Sequence, residues 1–473
     1  MGNLRNLGLW LKSLQITVEP LMFILAAANT ARGIVTPSLS EAKMKRVYAA
    51  PPHLSGKDLD KFYNKKMVLW DNNYEYVNLP IACIVGIIYG GYSDHKGRKL
   101  PLLVGIMSVL YETAMRMLIW SESTDLPLYW LYPTAVIAGL LGDFLLTMSC
   151  INAYVADQFE DKIVLSYRMV VVSIIFSLGS FASSQLTKHV VKWTSEIAVL
   201  GIAEGMLLFS LMIGILMLKQ QPPNSRKKEL IYTEDELAEV LPVEVPPAVD
   251  HSLLEIVKIS FISLYDSVKI FVQPRKGHRR LFLYMCFFAN FLDQFVFGEE
   301  KGLIGTYTRL SPFKWDTDEY ANYKTLRPLV QIAGMFVGML IFKRILHLRD
   351  TMIICIAIGS MGLCVLMIGL AQASWVIFAS LAPGGFHGLL NPMSYTFMAC
   401  LVEQDEIGKA YAVSSIAQKL AGIAQAATLQ NIYIATVDWY QGFVWLLMSG
   451  LSYVAVAVYA VVHVVAKKEN IGS

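Results

Sequence analysis

Long apolar runs separated by short polar stretches recur along the whole chain. They lie near Ile16–Thr36, Tyr76–Tyr92, Leu100–Trp120, Tyr129–Tyr154, Val164–Leu186, Ile197–Leu218, Leu281–Tyr307, Leu326–Ile345, Thr351–Leu370, Trp375–Val402, Ala410–Thr436 and Phe443–Val465. Each approaches the ~20 residues that an α-helix needs to cross a bilayer. The pattern predicts an all-α membrane protein with twelve transmembrane helices in two six-helix bundles. The fourth and tenth runs are long and are predicted to tilt or bend, because Pro133 opens one and Pro383 and Pro392 sit in the other. The expected organisation is an N-terminal bundle over 1–218, a cytoplasmic linker over 219–280 and a C-terminal bundle over 281–473.

The linker has two parts. Pro222, Pro223, Arg226-Lys227-Lys228, Glu234-Asp235-Glu236 and the later Pro242, Pro246 and Pro247 read as a mobile connection. Then Leu253, Val257, Phe261, Leu264, Val268 and Phe271 recur every three or four residues, with Glu255, Lys258, Asp266 and Lys269 off that stripe. This predicts an amphipathic helix on the bilayer surface. Arg275, Lys276, Arg279 and Arg280 then read either as contacts for anionic headgroups or as a charged stop before the seventh span. Asp250-His251-Ser252-Leu253-Leu254 resembles an acidic dileucine sorting signal, although its leucines also serve the stripe.

Composition agrees with the pattern. Of 473 residues, 55% are apolar and only 16% are charged, and the mean hydropathy is +0.48. A soluble core cannot hide that much apolar surface. Secreted, fibrous, disordered and nucleic-acid-binding classes are excluded as leading readings. All six cysteines fall in apolar runs, so no disulfide framework is expected. There is no Asn-x-Ser/Thr sequon and no metal-ligand spacing, so no metal or cofactor is expected. The first run lacks a cleavage-site pattern and is expected to remain as a span. With both termini cytoplasmic, inner segments hold 23 Lys and Arg against 13 outside, the orientation that the positive-inside rule favours. Seven basic residues in the first outer loop dissent.

Gly90-Gly91-Tyr92-Ser93-Asp94-His95-Lys96-Gly97-Arg98-Lys99 follows the second run. It fits G-x-x-x-D-x-x-G-R-[RK], and in that position it resembles the loop between spans two and three of the major facilitator superfamily. Gly90 is expected to allow close helix approach and Gly97 a tight turn. Asp94 is expected to cap a helix of the other half. Arg98 is expected to pair with Asp157 at the end of span four. The resemblance implies that Gly90, Asp94, Gly97, Arg98, Lys99 and Asp157 form a cytoplasmic latch, closed in the outward-open state.

Further segments resemble solute carrier family 46, the group of the proton-coupled folate transporter. They are Val18-Glu19-Pro20, Ser93-Asp94-His95, Gly142-Asp143-Phe144, Tyr167-Arg168-Met169 and Trp315-Asp316. The resemblance implies movement of bulky organic anions, such as folates or muropeptides, often driven by protons. It also implies a departure. By spacing, the folate carrier's proton-coupling glutamate falls at Ser173, its histidine near Phe297 and its span-ten arginine near Tyr395.

Ionisable residues at membrane depth cost several kcal/mol when they face lipid, so each one is a functional candidate. Arg32 reads either as a cavity grip for a carboxylate or phosphate or as a residue snorkelling to headgroups. Glu19 reads as a structural group at a helix N-terminus. Asp143 reads as a proton carrier or as a partner for a neighbouring helix. Gly298-Glu299-Glu300-Lys301-Gly302 reads as a break in span seven, with Glu299 and Glu300 meeting cargo or a proton, or else as the outer mouth of the span. Asp293 is a deeper proton candidate. Gly384-Gly385-Phe386-His387 and Asn391-Pro392 form a polar patch in span ten, where His387 either titrates or is held structurally. Glu112 and Arg116 are expected to pair structurally. Lys419 is expected to face the cavity or to pair with Glu204. Tyr411 and Trp445 are candidates for stacking on cargo or for membrane belts.

These readings give Arg32, Asp143, Glu299, His387 and Asn391 as substrate-binding candidates, and Asp143, Asp293 and Glu300 as proton-coupling candidates. The expected partners are a small-molecule solute, protons and the lipid bilayer of the plasma membrane or lysosome. No ATP-binding loop and no nucleophile–base arrangement is present, which argues against a pump or an enzyme. An uncoupled facilitator and a nutrient sensor that does not transport are the alternatives to a secondary active transporter.

Overall fold

The computed structural model describes residues 18–156, 162–218, 255, 258, 262, 265, 268, 269, 272–403, 407–469 and 471. Among them, twelve helical segments follow one another. These are α1 (Glu19–Val47), α2 (Lys57–Lys96), α3 (Lys99–Trp120), α4 in two pieces (Leu131–Leu140 and Asp143–Ala156), α5 (Lys162–Trp193) and α6 (Glu196–Met217). Then come α7 (Arg279–Leu292, a π turn Asp293–Phe297, and Gly298–Tyr307), α8 (Thr317–Gly338, ending in a π turn Met339–Ile345) and α9 (Asp350–Leu370). The last three are α10 (Ser374–Gly384, a 3-10 turn Gly385–Leu389, and Leu390–Ala399), α11 (Ile407–Gln425, a π turn Ala426–Gln430, and Asn431–Thr436) and α12 (Phe443–Lys468).

Local chemistry sets the ends. Glu19 and Pro20 open α1, and Lys45 and Arg46 close it, matching the helix dipole. Ser195 caps α6 by accepting from the Ala198 amide, and Asp316 caps α8 by accepting from the Glu319 amide at 2.8 Å. Trp315 beside that cap is buried and donates its Nε1 to Ser374 Oγ at 2.8 Å. The Trp315-Asp316 pair is therefore a helix start fastened to α10. Gly97 ends α2 at φ +98°, the tight turn expected there.

Two helices depart from the expected spans. α1 runs eleven residues past Thr36, and α2 begins at Lys57, well before Tyr76. Much of the expected first loop, with its basic residues, is helix. Hydropathy missed it because a polar helix carries no apolar run. Six segments (α3, α6, α7, α8, α9 and α12) are long and apolar enough by composition to cross a membrane. α4 is divided by a backbone break, and α1, α10 and α11 carry polar residues inside the fold.

The cores are divided along the chain. One buried apolar cluster gathers Leu21, Ile106, Ile151 and Leu207, and a second gathers Val35, Trp70, Trp120 and Leu200. A third is built from α7 to α12, with only Ile34 and Val68 joining from the first half. Helices α9 and α12 pack along each other at the back of the second half. The halves meet through α2 with α11 and α5 with α8.

In the linker region, residues 255, 258, 262, 265, 268, 269 and 272 are helical, and Ile262, Tyr265, Val268 and Val272 are exposed apolar side chains. The expected stripe at Leu253, Val257, Phe261, Leu264 and Phe271 lies outside the described residues, as does the dileucine-like segment.

Candidate functional site

Between the halves lies a polar void, lined by α1 to α4 on one side and by α7, α8 and α11 on the other. It has three lobes with shared walls and cavity volumes of about 180, 320 and 390 Å³. Cavities of this size hold drug-sized solutes.

The wall of the two larger lobes carries an ionic network. Arg32 Nη1 donates to Glu112 Oε2 at 2.7 Å, and Nη2 donates to Asn29 Oδ1 at 3.0 Å. Arg116 Nε donates to Glu112 Oε1 at 2.8 Å, and Arg116 Nη1 lies 3.9 Å from Asp71 Oδ1. The Arg116 guanidinium also lies over the rings of Tyr74 and Trp120, at 4.6 and 5.2 Å. Both arginines are thus satisfied inside the protein. Arg32 faces the cavity and does not snorkel. Glu112 and Arg116 pair as expected, but they also line the void, which the structural reading missed.

The smallest of the three lobes is lined by Asp143, Lys419 and the carboxamides Gln294, Gln418, Gln425 and Gln430. Asp143 sits where α4 breaks. Gly142 at φ +90° and Asp143 at φ +61° are consecutive left-handed residues, a conformation that stops a helix. The Phe144 amide donates to Asp143 Oδ1. Lys419 Nζ lies 2.5 Å from where a Cβ on Gly86 would stand, so the glycine gives the ammonium its room. Lys419 makes no hydrogen bond or ion pair with another described residue. It lies in the cavity wall, which answers the alternative of a pair with Glu204.

A second polar cluster lies within the C-terminal half. His387, in the 3-10 turn of α10, bonds through Nε2 to Asp293 Oδ1 in the π turn of α7. Asn391 Nδ2 donates to Asp293 Oδ2 at 2.8 Å. The Phe297 ring sits on His387 with centroids 3.9 Å apart, and the Arg327 guanidinium lies 4.3 Å from the other ring's centre, that of Phe297. The structure thus brings the span-seven candidate Asp293 onto the span-ten patch of His387 and Asn391.

Other expectations need correction. The predicted break at Gly298–Gly302 is absent. The helix is continuous there, and the irregularity is the π turn one step earlier. The side chains of Glu299 and Glu300 lie outside the described residues. Trp445 cannot stack on cargo, because it is wholly buried in the second-half core, 5.3 Å from Tyr307. Gly90 makes no close helix approach, since a Cβ there would meet nothing within 4 Å. In the motif loop, Arg98 Nη1 donates to Ser93 Oγ at 2.6 Å, and Lys99 Nζ donates to Ile215 O at the end of α6 at 2.8 Å. The Asp94 side chain and Asp157 lie outside the described residues. Glu19 forms a buried ion pair with Arg168, fastening α1 to α5.

Sequence reasoning also missed Asp71 and Glu75, which line the cavity from the part of α2 read as a loop. A signal was present. Asp71, Glu75, Asn78, Cys83 and Gly86 recur at helical spacing along one face.

The halves are fastened at the face where α1 ends and α2 begins. Asn64 Nδ2 donates to Thr306 O at 2.7 Å, and Tyr433 Oη donates to Asn64 Oδ1 at 2.7 Å. Glu41 pairs with Arg309 and Lys65 with Asp438, while Lys192 Nζ lies 3.0 Å from Asp318. Gln185 Nε2 donates to Thr325 Oγ1 at 2.9 Å. This belt closes the cavity on the face opposite the Gly97-Arg98 turn.

Comparison with known proteins follows the same lines. A family model described as the Major Facilitator Superfamily matches residues 77–426. The "Probable peptidoglycan muropeptide transporter SLC46" of Drosophila melanogaster is 24% identical over 369 residues, covering 76% of this chain and 66% of that protein. The chain therefore spans just under two thirds of that relative's length. The human "Lysosomal proton-coupled steroid conjugate and bile acid symporter SLC46A3" is 21% identical over 453 residues, 92% of this chain and 91% of that one. Among solved structures, a POT family transporter in complex with 5-aminolevulinic acid superposes with a TM-score of 0.59 at 13% identity, covering 94% and 95% of the two chains. The human organic anion transporter MFSD10 superposes with a TM-score of 0.57 at 16% identity, over 93% and 98%. The fold is the major facilitator fold.

Proposed function

The chain belongs to the major facilitator superfamily, and from that premise we propose that it is a secondary active transporter of bulky organic anions, coupled to protons and working by alternating access. The halves, residues 1–218 and 281–473, rock about the void between them. The described state is the one closed at the face of the α1–α2 loop, which we take as the outer or lumenal side. Both termini are then cytoplasmic.

One observation carries the reading. Two arginines of the void are already neutralised by Glu112 and Asp71, while Lys419, in the same wall as Asp143, makes no ion pair among the described residues. A half-buried cation without a salt bridge is unfavourable, and an anionic group of the cargo supplies the pairing charge. The carboxamides around it provide hydrogen bonds for a polar, amide- or hydroxyl-rich body. Arg32 and Asp143 contribute to the same binding wall. The names of the relatives, with muropeptide, steroid-conjugate and bile-acid cargo, support a large anion. The lysosomal symporters among them support an acidic compartment as the site of action.

The test is uptake of labelled muramyl dipeptide and labelled steroid sulfate into liposomes holding the purified full-length chain, with and without a proton gradient. Accumulation of either probe that follows the gradient supports the reading. Equilibration without accumulation identifies a facilitator instead. Binding without flux identifies a sensor.

A further inference from the structure

The Asp293–His387 cluster is separate from the cargo wall, yet wired to it. Asp293 and His387 are 5% and 4% exposed, so the pair is buried within the C-terminal half. Asp293 is held by two donors, His387 Nε2 and Asn391 Nδ2. His387 Nδ1, on the other edge of the ring, is buried and has no hydrogen-bond partner among the described residues. It belongs to a residue lining a small pocket, together with Phe297, Arg327, Gln331, Met361 and Cys364. That pocket has room for about a single water and none for a solute.

The bonding fixes the tautomer by its partners. A carboxylate accepts, so Nε2 carries the hydrogen and Nδ1 presents a lone pair to the pocket. Among the described residues, the titratable and charged groups facing the ring are Asp293 from α7, Arg327 from α8 and Cys364 from α9. From α11, Gln418 Nε2 donates to Asn391 Oδ1 at 3.5 Å, and Gln418 itself lines the cargo void next to Lys419. A continuous chain therefore runs from this small pocket through His387, Asp293 and Asn391 to the cargo wall.

We propose that the coupled proton is carried by the His387–Asp293 pair, taken up at His387 Nδ1 from water in the small pocket beside it, apart from the cargo path. This rests on the proton-coupled reading above. Protonation forms the Nδ1–H bond and makes the ring an imidazolium. The Nε2–H bond to Asp293 stays, and the charge is held by the Asp293 carboxylate. Release reverses the step, returning the proton to water. Cargo acts on the pair through Gln418 and Asn391. The π turn of α7 serves this arrangement by presenting Asp293 and Phe297 to the same histidine.

The experiment compares the full-length parent with His387→Gln and Asp293→Asn in liposomes, using labelled muramyl dipeptide and steroid sulfate. Two readouts are needed: counterflow at equal pH on both sides, and accumulation driven by a pH gradient. The expected result is that both variants keep counterflow while gradient-driven accumulation falls to that of protein-free liposomes. If either variant still accumulates probe with the gradient, the pair does not carry the proton. If both lose counterflow as well, the pair only fastens α7 to α10, and the proposal fails. A parent that shows counterflow but never responds to the gradient overturns the coupled reading itself, and this inference with it.

Discussion

Arg32 of α1 and Glu112 of α3 form a 2.7 Å ion pair in the wall of the central void, and Arg116 holds the other oxygen of the same carboxylate at 2.8 Å. One carboxylate thus serves two guanidinium groups. Removing Glu112 strands both cations in a largely buried place, a situation that typically costs about 3–5 kcal/mol. Glu112→Gln is expected to melt markedly below the parent in detergent. The double variant Arg32→Gln/Glu112→Gln is expected to recover part of the loss, because one stranded charge is gone. A double variant no more stable than Glu112→Gln alone would show that the network contributes nothing as a unit.

Lys419 makes the opposite prediction. It has no ion pair to strand among the described residues, so Lys419→Gln is expected to fold and melt like the parent or slightly better. What it loses is cargo affinity. A hydrogen bond to a charged group is worth about 1.5–3 kcal/mol, so the apparent KM for an anionic probe should rise by roughly ten- to a hundredfold. Gly86→Ala should give a milder rise, since its Cβ would stand 2.5 Å from the Lys419 ammonium, a flexible tip that can swing aside. An unchanged KM in Lys419→Gln would remove this residue from the binding wall.

How far the sequence could be read follows the same division between apolar and polar surface. The membrane-embedded helices α3, α6, α9 and α12 stand out because each is a nearly unbroken apolar run. The beginning of α2 does not, because its residues face a cavity and a polar belt, which Asp71 and Glu75 line. The residues of the void wall and of the α7–α10 cluster are legible as charges at membrane depth, as Arg32, Asp143, Asp293 and His387 are. Their pairings are not. Arg32 with Glu112 is a contact across 80 positions, and Asp293 with His387 one across 94. Nothing local in the chain encodes either. The π turn that aims Asp293 is likewise a backbone adjustment with no residue signature, whereas glycines falsely suggested a break beyond it.

The belt on the closed face predicts how closure responds to acid. Glu41 lies beyond the apolar span of α1, pairs with Arg309, and accepts from Lys45. Burial pulls its pKa upward, but Arg309 and Lys45 outweigh that and hold it below the ordinary carboxylate value. A depressed value means that the stabilisation is present above the unfolded pKa of ~4.3 and is lost only as pH falls through the lower folded value. The link should therefore survive at the mildly acidic pH of a lysosome. Distances between spin labels placed at Lys57 and Trp439 are expected to be the same at pH 7.5 and pH 5. Glu41→Gln should shift the population toward opening at both values, by about 1 kcal/mol or roughly fivefold, as for a partly exposed pair. A parent belt that opens between those pH values would mean that another group controls closure.

The close approach of α8 to α10 offers a way to disturb the histidine without touching it. A Cβ on Gly334 would lie 2.4 Å from the carbonyl carbon of Gly385 and 2.5 Å from its oxygen, which are backbone atoms that cannot swing aside. Gly385 opens the 3-10 turn that carries His387, so any push on it moves the imidazole relative to Asp293. Overpacking of this kind costs about 1–3 kcal/mol. Gly334→Ala should therefore lower the melting temperature and weaken gradient-driven uptake more than counterflow. Gly201→Ala and Gly450→Ala are matched controls, because a Cβ at either meets nothing within 4 Å, and they should stay within about 0.5 kcal/mol of the parent. If Gly334→Ala behaves like these controls in both melting and uptake, the two helices can separate freely, and the placement of His387 does not depend on their contact.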